Sequence, residues 1–308
     1  MSVSSHRADG DWPKRSDRDM PGVDRRPDGL SRRGQFLVAL LAGAALLFGT
    51  VLLCLPTTSP AGGSQDSAPS PVPVRIQAPV IPAQPVPQLD RLPQATTYGS
   101  VASAPPDLAL DQASSGQLVH PTQAVPVYAQ PGGAAIAVLP TQQISTDTWV
   151  PVIADEPGWV QVLLPSRPNG STGWLSTQDR TLAAAHTPYR ILVDRAQFRL
   201  SLYRDEQLAG TWTVGVGTPQ APTPAGRTFV LASIQDSRQL YSPVILPLGT
   251  HSTSFEVYDG GPGTVALHGW PSPTVFGRGS SAGCIRVPAD LLRILATDVP
   301  IGTPVLIT

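Results

Sequence analysis

The 308-residue sequence has little cysteine and almost no net charge. Its two cysteines, Cys54 and Cys284, lie in regions of different character, so the sequence predicts neither an intramolecular disulfide nor a CxxC-type metal site. The formal net charge is only -1, and no segment outside the N-terminus has the Lys and Arg excess that phosphate binding demands. These absences argue against a nucleic-acid partner.

Strongly periodic helical segments are also scarce, whereas proline and glycine are frequent, with 35 and 28 residues respectively. This composition predicts that the folded part of the chain is mainly β, with many turns. One convincing helix is indicated in the C-terminal region, at residues 288–299. Pro288 stands early in this segment, and the apolar residues are spaced to cover one face: Leu291, Leu292, Ile294 and Leu295.

An uncharged apolar run lies near the N-terminus, at residues 36–55. At about 1.5 Å per helical residue, its length matches a hydrocarbon core of roughly 30 Å. The preceding segment, residues 1–34, is rich in Lys and Arg, with Arg32 and Arg33 next to the run. By the positive-inside rule, we expect a cytoplasmic segment at 1–34, a transmembrane signal-anchor at 35–55 and everything after it outside the cytoplasm.

A cleaved export signal is the alternative interpretation of this region. The sequence "SRRGQFL" at 31–37 approximates a twin-arginine motif, and "SPA" at 59–61 could serve as a small-residue cleavage site. The apolar run is longer than the usual signal core of about 7 to 15 residues, which favours an uncleaved single-pass anchor. Cys54 follows "VLL" rather than small residues, so we interpret it as a packed or lipid-facing thiol.

Residues 56–115 are predicted to form a Pro-rich linker. Twelve prolines and only four charged residues lie between 56 and 106, a composition typical of an extended, unpacked tether. Such a segment would hold the following domains away from the membrane.

Residues 116–182 show short apolar runs separated by turn signals. The dipeptide Asn169-Gly170 is a hairpin signal between two of these runs, and the pattern predicts a small five-stranded β-barrel. The segments "GWVQV" and "NGSTGWL" place Trp159 and Trp174 on adjacent strands and resemble a bacterial SH3-like domain. That resemblance implies attachment to cell-wall peptides; a spacer whose tryptophans belong to the core is the alternative.

The C-terminal region, residues 188–308, opens with alternating apolar and polar positions. The alternation predicts two strands joined by a turn near Asp205 to Gln207. Further on, "HGWPSPTVFGRGSSAGCIRV" at 268–287 contains one histidine and one cysteine, His268 and Cys284. Cys284 precedes the predicted helix closely, so we expect the helix dipole and nearby backbone N–H groups to favour its thiolate.

His268 and Cys284 could together perform acyl transfer. The thiolate would attack a carbonyl, and His268 would act first as general base and then protonate a leaving amine. The residues alone also fit a structural thiol and a hydrogen-bonded histidine. His251 is the one alternative base, although nothing in its own loop selects it.

The residues of these motifs closely resemble those of the L,D-transpeptidase (YkuD-like) catalytic domain of bacterial cell-wall enzymes. The resemblance rests on "HG" followed by "SAGCIRV", with "PTPAG" upstream and the opening "ILVDRAQFRLSLYRD". It implies a β-rich domain with one helix after the nucleophile. By this resemblance, Cys284 is the acylated nucleophile, His268 is its base, and the carbonyl of Gly269 orients the imidazole.

The resemblance also assigns the residues around the nucleophile. Gly283 and Cys284 would supply backbone donors to the oxyanion, while Ser281 and Arg286 match positions that shape the site, with Arg286 near a substrate carboxylate. The family frequently has a histidine two residues before the nucleophile, where this chain has Ala282. Oxyanion geometry or substrate preference is therefore expected to differ.

The reaction that the resemblance implies is a two-step exchange on peptidoglycan stem peptides at the wall side of a bacterial membrane. Cys284 would attack the bond after the third residue of a stem tetrapeptide and release D-alanine, and an amine of a neighbouring stem would then form a 3→3 cross-link. No metal or organic cofactor is implied, and carbapenem-type inhibitors should acylate the thiol. The alternatives are an L,D-carboxypeptidase and an inactive wall-binding scaffold that acts through the SH3-like module.

Overall fold

The computed structural model describes residues 78–235 and 240–308. The predicted cytoplasmic segment at 1–34, the predicted anchor at 35–55 and the first part of the predicted linker, residues 56–77, lie outside the described residues. Within the described part of the chain, no helix has both the length and the apolar character needed to cross a membrane.

The first folded region is built from short antiparallel strands between residues 117 and 186. Its strands are β1 (Gln117–Pro121), β2 (Val125–Tyr128), β3 (Ala135–Leu139), β4 (Gln142–Gln143), β5 (Thr146–Asp147), β6 (Val150–Glu156), β7 (Trp159–Leu163), β8 (Thr172–Ser176) and β9 (Leu182–His186). Seven of them form one sheet in the order β3-β2-β8-β7-β6-β1-β9, and β4 pairs with β5. The sheet thus has two more strands than the five expected, and the SH3-like resemblance stays a prediction.

The two tryptophans that suggested this resemblance do lie on adjacent strands. Trp159 on β7 is fully buried, its indole Nε1–H donates to the carbonyl of Ile81 at 2.7 Å, and Tyr128 packs edge-on against it. Trp174 on β8 is half-buried. Trp159 therefore belongs to the core of this sheet, as the alternative interpretation predicts for it.

Part of the predicted linker is packed, which corrects the expectation of a loose tether. Ala95 and Val101 are fully buried in the core of the first sheet. Ala95 N–H donates to the carbonyl of Val138, and Val138 N–H donates to the carbonyl of Pro93, at 2.8 and 2.9 Å. Since β3 is the last strand of its sheet, its unpaired backbone groups are open to such pairing. The high proline content of this segment suggested a tether, although the segment also contains the apolar residues that make this contact.

The second folded region begins at residue 189 and is also mainly β, which confirms the predicted fold class. Its strands are β10 (Tyr189–Asp194), β11 (Arg199–Arg204), β12 (Gln207–Thr213), β13 (Val216–Gly217), β14 (Gly226–Phe229), β15 (Ile245–His251), β16 (Thr264–His268), β17 (Gly279–Ser281), β18 (Ile285–Arg286) and β19 (Pro304–Ile307). A five-stranded sheet has the order β12-β11-β10-β19-β14, a three-stranded sheet the order β15-β16-β18, and β13 pairs with β17.

The predicted turn and helix of this region are both present. Asp205 and Glu206 have positive φ values of 49° and 61° and join β11 to β12. The alternating segment contains three strands rather than two, because a second turn joins β10 to β11. Helix α1 (Ala289–Thr297) begins directly after Pro288 and buries Leu291, Leu292 and Leu295 in the domain core.

Candidate active site

The three-stranded sheet positions the residues of the cleft. β16 and β18 run in parallel, with Leu267 opposite Ile285 and His268 opposite Arg286. Cys284 immediately precedes β18, so it lies beside Ala266, whose backbone N–H hydrogen-bonds it. His268 and Cys284 line one cleft of about 300 Å³, together with other sequence-predicted residues and several unpredicted ones: Ser281, Ala282, Arg286, Tyr241, Tyr258, Asp259 and Trp270.

The tautomer of His268 follows from its hydrogen bond. Its Nδ1 lies 2.7 Å from the carbonyl oxygen of Gly269. Because a carbonyl only accepts, Nδ1 carries the proton and Nε2 is left with a free lone pair. Burial lowers the pKa of His268, the positive charge of Arg286 lowers it further, and the bond to Gly269 opposes both effects. His268 is thus held as a neutral base.

The thiol of Cys284 is also neutral in the resting cleft. Burial raises its pKa, while the N–H of Ala266 and the charge of Arg286 act in the opposite direction without cancelling that effect. A neutral thiol beside a neutral imidazole differs from a preformed ion pair, because any attack by the sulfur would need its proton to move.

Two neighbours of Cys284 act on its pKa besides the expected helix dipole. Helix α1 begins at Ala289, and strand β18 lies between it and Cys284. The groups that lower the pKa of the thiol are the N–H of Ala266 and the positive charge of Arg286. Helix dipoles act mainly within their first turn, and the effect of α1 on the thiol stays a prediction.

Ser281 fixes the loop that carries Cys284. Its hydroxyl accepts from the N–H of Gly283 at 3.2 Å and donates to the carbonyl of Cys284 at 2.6 Å. Gly283 has a φ of +119°, a conformation that favours glycine. Since its N–H is engaged by Ser281, the expected oxyanion contribution of Gly283 needs this bond to break, and Cys284 N–H is the other predicted donor.

Arg286 is held by two contacts inside the cleft. Its Nη1 donates to the carbonyl of Ser280 at 2.6 Å, and its guanidinium carbon lies 3.6 Å from the centre of the Trp270 ring. This stacking geometry is a cation–π contact. It leaves a positive charge beside the thiol and the imidazole.

Two aromatic residues that sequence reasoning missed surround the histidine. Tyr241 packs edge-on against His268 with ring centres 5.2 Å apart, and Trp270 lies 6.1 Å from the same ring. Trp270 stands two residues after His268, so its proximity to the motif was the available signal. Tyr241 lies in a separate loop and carries no local signal.

His251, the alternative base, takes no part in the cleft. It is fully buried, and its Nε2 lies 2.7 Å from the carbonyl of Thr97. Burial and the charge of Arg167 lower its pKa, and the bond to Thr97 opposes them, burial being the largest effect. His251 belongs to the contact between the two folded regions.

The fold and the geometry define a mainly β domain with a neutral Cys–His pair in one cleft. Residues 188–307 match the family model described as YkuD, the L,D-transpeptidase catalytic domain. A Bacillus licheniformis protein named as a candidate YkuD L,D-transpeptidase is 33% identical over 121 residues, which span 39% of this chain and 66% of the relative. Residues 188–307 are therefore similar to an L,D-transpeptidase catalytic domain of the YkuD type.

Solved structures with similarity to the chain are also L,D-transpeptidases. The catalytic domain of the Enterococcus faecium enzyme is 26% identical and has a TM-score of 0.30, with 40% of this chain and 100% of that one covered. L,D-transpeptidase 3 of Mycobacterium tuberculosis, with a faropenem-derived adduct, is 15% identical with a TM-score of 0.34, covering 46% and 75%. Because these TM-scores are low, the similarity to the family rests on the family model and the Bacillus relative.

Proposed function

We propose that this domain is a peptidoglycan L,D-transpeptidase that works through a thioester on Cys284. The observation that carries the proposal is the bond from His268 Nδ1 to Gly269 O, because it leaves Nε2 as a neutral base in the cleft that holds the thiol. Both neighbouring pKa shifts favour this arrangement over an ion pair.

In the first half-reaction, Cys284 Sγ attacks the carbonyl of the third stem residue while its proton passes to His268 Nε2. The tetrahedral oxyanion is stabilised by Cys284 N–H, with Ser281 holding the loop in place. Collapse breaks the peptide bond, and the proton on His268 goes to the amine of the departing D-alanine. Arg286 supplies positive charge to the substrate carboxylate.

In the second half-reaction, an amine of a neighbouring stem attacks the thioester. His268 takes a proton from the amine, the C–S bond breaks, and the thiol is restored. The product is a 3→3 cross-link. Water in place of the amine would give the carboxypeptidase reaction, so the two activities share one acyl-enzyme and differ in the acceptor.

The sequence of the N-terminal segment supports a location outside the cytoplasm. A single-pass anchor at 35–55 would tie the enzyme to the membrane, and the chain that follows would hold the catalytic domain at the wall. The proposed partners are stem peptides and the membrane.

Intact-mass spectrometry with a carbapenem tests the acyl-enzyme. The detergent-solubilised full chain should gain one adduct, Cys284→Ala should gain none, and His268→Ala should react more slowly. Cys54→Ala is the matched control, because it removes the other thiol and should react like the unmodified chain. An adduct that persists on Cys284→Ala would show that Cys284 is not the nucleophile.

Product analysis with a stem tetrapeptide then separates the alternatives. Release of D-alanine with a dimeric product supports the transpeptidase, and release with only a tripeptide supports the carboxypeptidase. Binding to purified sacculi with no release of D-alanine would support the inactive scaffold.

A further inference from the structure

One wall of the cleft is an irregular loop, residues 252–263, which connects β15 to β16. Ser252, Tyr258, Asp259 and Gly263 from this loop line the cleft. The loop projects exposed apolar side chains, Val257 being 70% exposed. Such a segment needs contacts from elsewhere to keep one conformation.

Some of those contacts lie within the second region, since Ser252 N–H donates to the carbonyl of Gly263 at 2.8 Å and Ser254 Oγ donates to that of Gln220 at 3.0 Å. The others come from the first folded region, through Arg167. Arg167 belongs to the loop between β7 and β8, residues 164–171. Its Nη2 donates to the carbonyl of Pro262 at 2.9 Å and lies 3.3 Å from that of Phe255, while Nη1 lies 3.5 Å from that of Ser252. One guanidinium therefore joins the two ends and the middle of the wall, which suits its planar set of five donors.

Asn169 anchors the residue just before the wall. Its Oδ1 accepts from the N–H of His251 at 2.8 Å, and its Nδ2 donates to the carbonyl of the same residue at 2.7 Å. At the other end, the hydroxyl of Thr97 lies 2.6 Å from that of Thr264. One strand end that carries the wall is thus bonded to the first region, and the other is bonded to the packed part of the predicted linker.

Arg167 is itself fixed in place. Its N–H donates to the carbonyl of Gly99 at 3.0 Å, and its carbonyl accepts from Val101 N–H at 2.8 Å. The two regions also share apolar contacts, since Phe229 and Leu231 are buried in the same cluster as Val101. These contacts give the guanidinium a firm base from which to hold the wall.

Gly263 permits the close approach. Its φ is +70°, and a Cβ there would lie 2.4 Å from the carbonyl oxygen of Phe255 and 3.2 Å from Arg167 Nη2. A side chain at this position would displace the guanidinium or the loop.

We propose that Arg167 is a positioning residue for the cleft, through which the first folded region sets the wall at 252–263 and thereby the binding of substrate. For the substrate, this inference rests on the proposed function; the positioning itself does not. Cys284 and His268 are held by β16, β18 and Ser281, so loss of Arg167 weakens binding and leaves the chemical step intact.

The test compares Arg167→Ala and Arg167→Lys with the unmodified full chain. Arg190→Ala is the matched control. Arg190 lies on β10 and pairs with the exposed Glu206 in the turn after β11, away from the wall. Hydrogen exchange followed by mass spectrometry reports the wall directly, and the rate of D-alanine release from a stem tetrapeptide reports KM and kcat.

We expect Arg167→Ala to raise exchange in the 252–263 peptide about tenfold, as for a locally opened segment, with the β16 and β18 peptides unchanged. KM should rise about fivefold to tenfold, kcat should change less than twofold, and Arg167→Lys should restore part of both effects because its ammonium still donates. Arg190→Ala should match the unmodified chain in every readout.

Unchanged exchange in the wall of folded Arg167→Ala would overturn the inference, as would a rise spread evenly over the domain or a fall in kcat at constant KM. If the unmodified chain releases no D-alanine, the proposed function fails while the exchange result still decides the positioning role. Should Arg167→Ala not fold, Arg167→Lys and Asn169→Ser provide the same comparison of wall against core.

Discussion

The pH dependence of Cys284 alkylation tests whether the resting Cys–His pair is neutral. Burial raises the pKa of this thiol and lowers that of His268. An ordinary thiol of pKa about 8.5 is about 3% thiolate at pH 7, and any upward shift reduces that fraction. The alkylation rate should therefore rise about tenfold per pH unit through neutrality and level off only above about pH 8.5.

The assay is timed alkylation by iodoacetamide in the Cys54→Ala chain, quantified on the peptide that contains Cys284. Arg286→Gln supplies the perturbation, because the charge of Arg286 lowers the pKa of both Cys284 and His268. Its removal should move the profile to higher pH and slow alkylation at pH 7. Arg278→Gln, which removes an exposed charge, is the control and should leave the profile unchanged.

A preformed thiolate–imidazolium pair would give a different profile. Its thiolate would be present at neutral pH. The alkylation rate would therefore already have reached its plateau below about pH 7, and it would fall only at more acidic pH, where the pair gains a proton. A plateau of that kind, or an Arg286→Gln profile shifted to lower pH, would refute the neutral-pair reasoning.

Three further predictions concern stability. Ser281→Ala should lower the free energy of unfolding by about 1–3 kcal/mol, since one buried and one part-buried hydrogen bond of the loop that carries Cys284 are lost; urea titration beside Ser280→Ala measures this, and equal losses would contradict it. Asp107→Asn should cost about 3–5 kcal/mol in the same assay, because Arg227 is left buried without its charged partner; a loss below about 1 kcal/mol would mean that the pair is not desolvated. His251 and His268 both have lowered pKa values, so the unfolded state binds more protons, and stability should be full above about pH 6.5 and fall below it. His251→Gln should make that fall shallower, and an unchanged slope would remove His251 from the effect.

The sequence predicted the parts of the site that are local in the chain. His268 with Gly269, and Ser281 with Cys284, are neighbours or lie three residues apart, so a motif contains all the contacts between them. The mainly β fold and the helix after Cys284 were predictable for the same reason, because periodicity is a local property. Periodicity places a helix in the sequence without placing its axis relative to the thiol, so the effect of the helix dipole stays a prediction.

What could not be predicted depends on contacts across long separations. Asp107 meets Arg227 across 120 residues, and Arg167 meets Pro262 across 95. Proline frequency suggested a tether at 56–115, but its last part pairs with a sheet edge that exists only once the sheet has formed. Composition describes what a segment does alone, and these segments are ordered by what they contact.

The same difference in sequence separation distinguishes the loop that carries Cys284 from the wall of the cleft. The loop that carries Cys284 is closed by bonds within residues 281–284, which survive any movement that leaves β18 in place. The wall has bonds within its own region, from Ser252 to Gly263 and from Ser254 to Gln220, and further bonds come from residues more than eighty positions away. Separation of the two folded regions would break the long-range bonds together, so local opening reaches the wall at a lower free energy than the loop that carries Cys284. Under the proposed function, a stem peptide would bind against this wall while Cys284 and His268 keep their geometry.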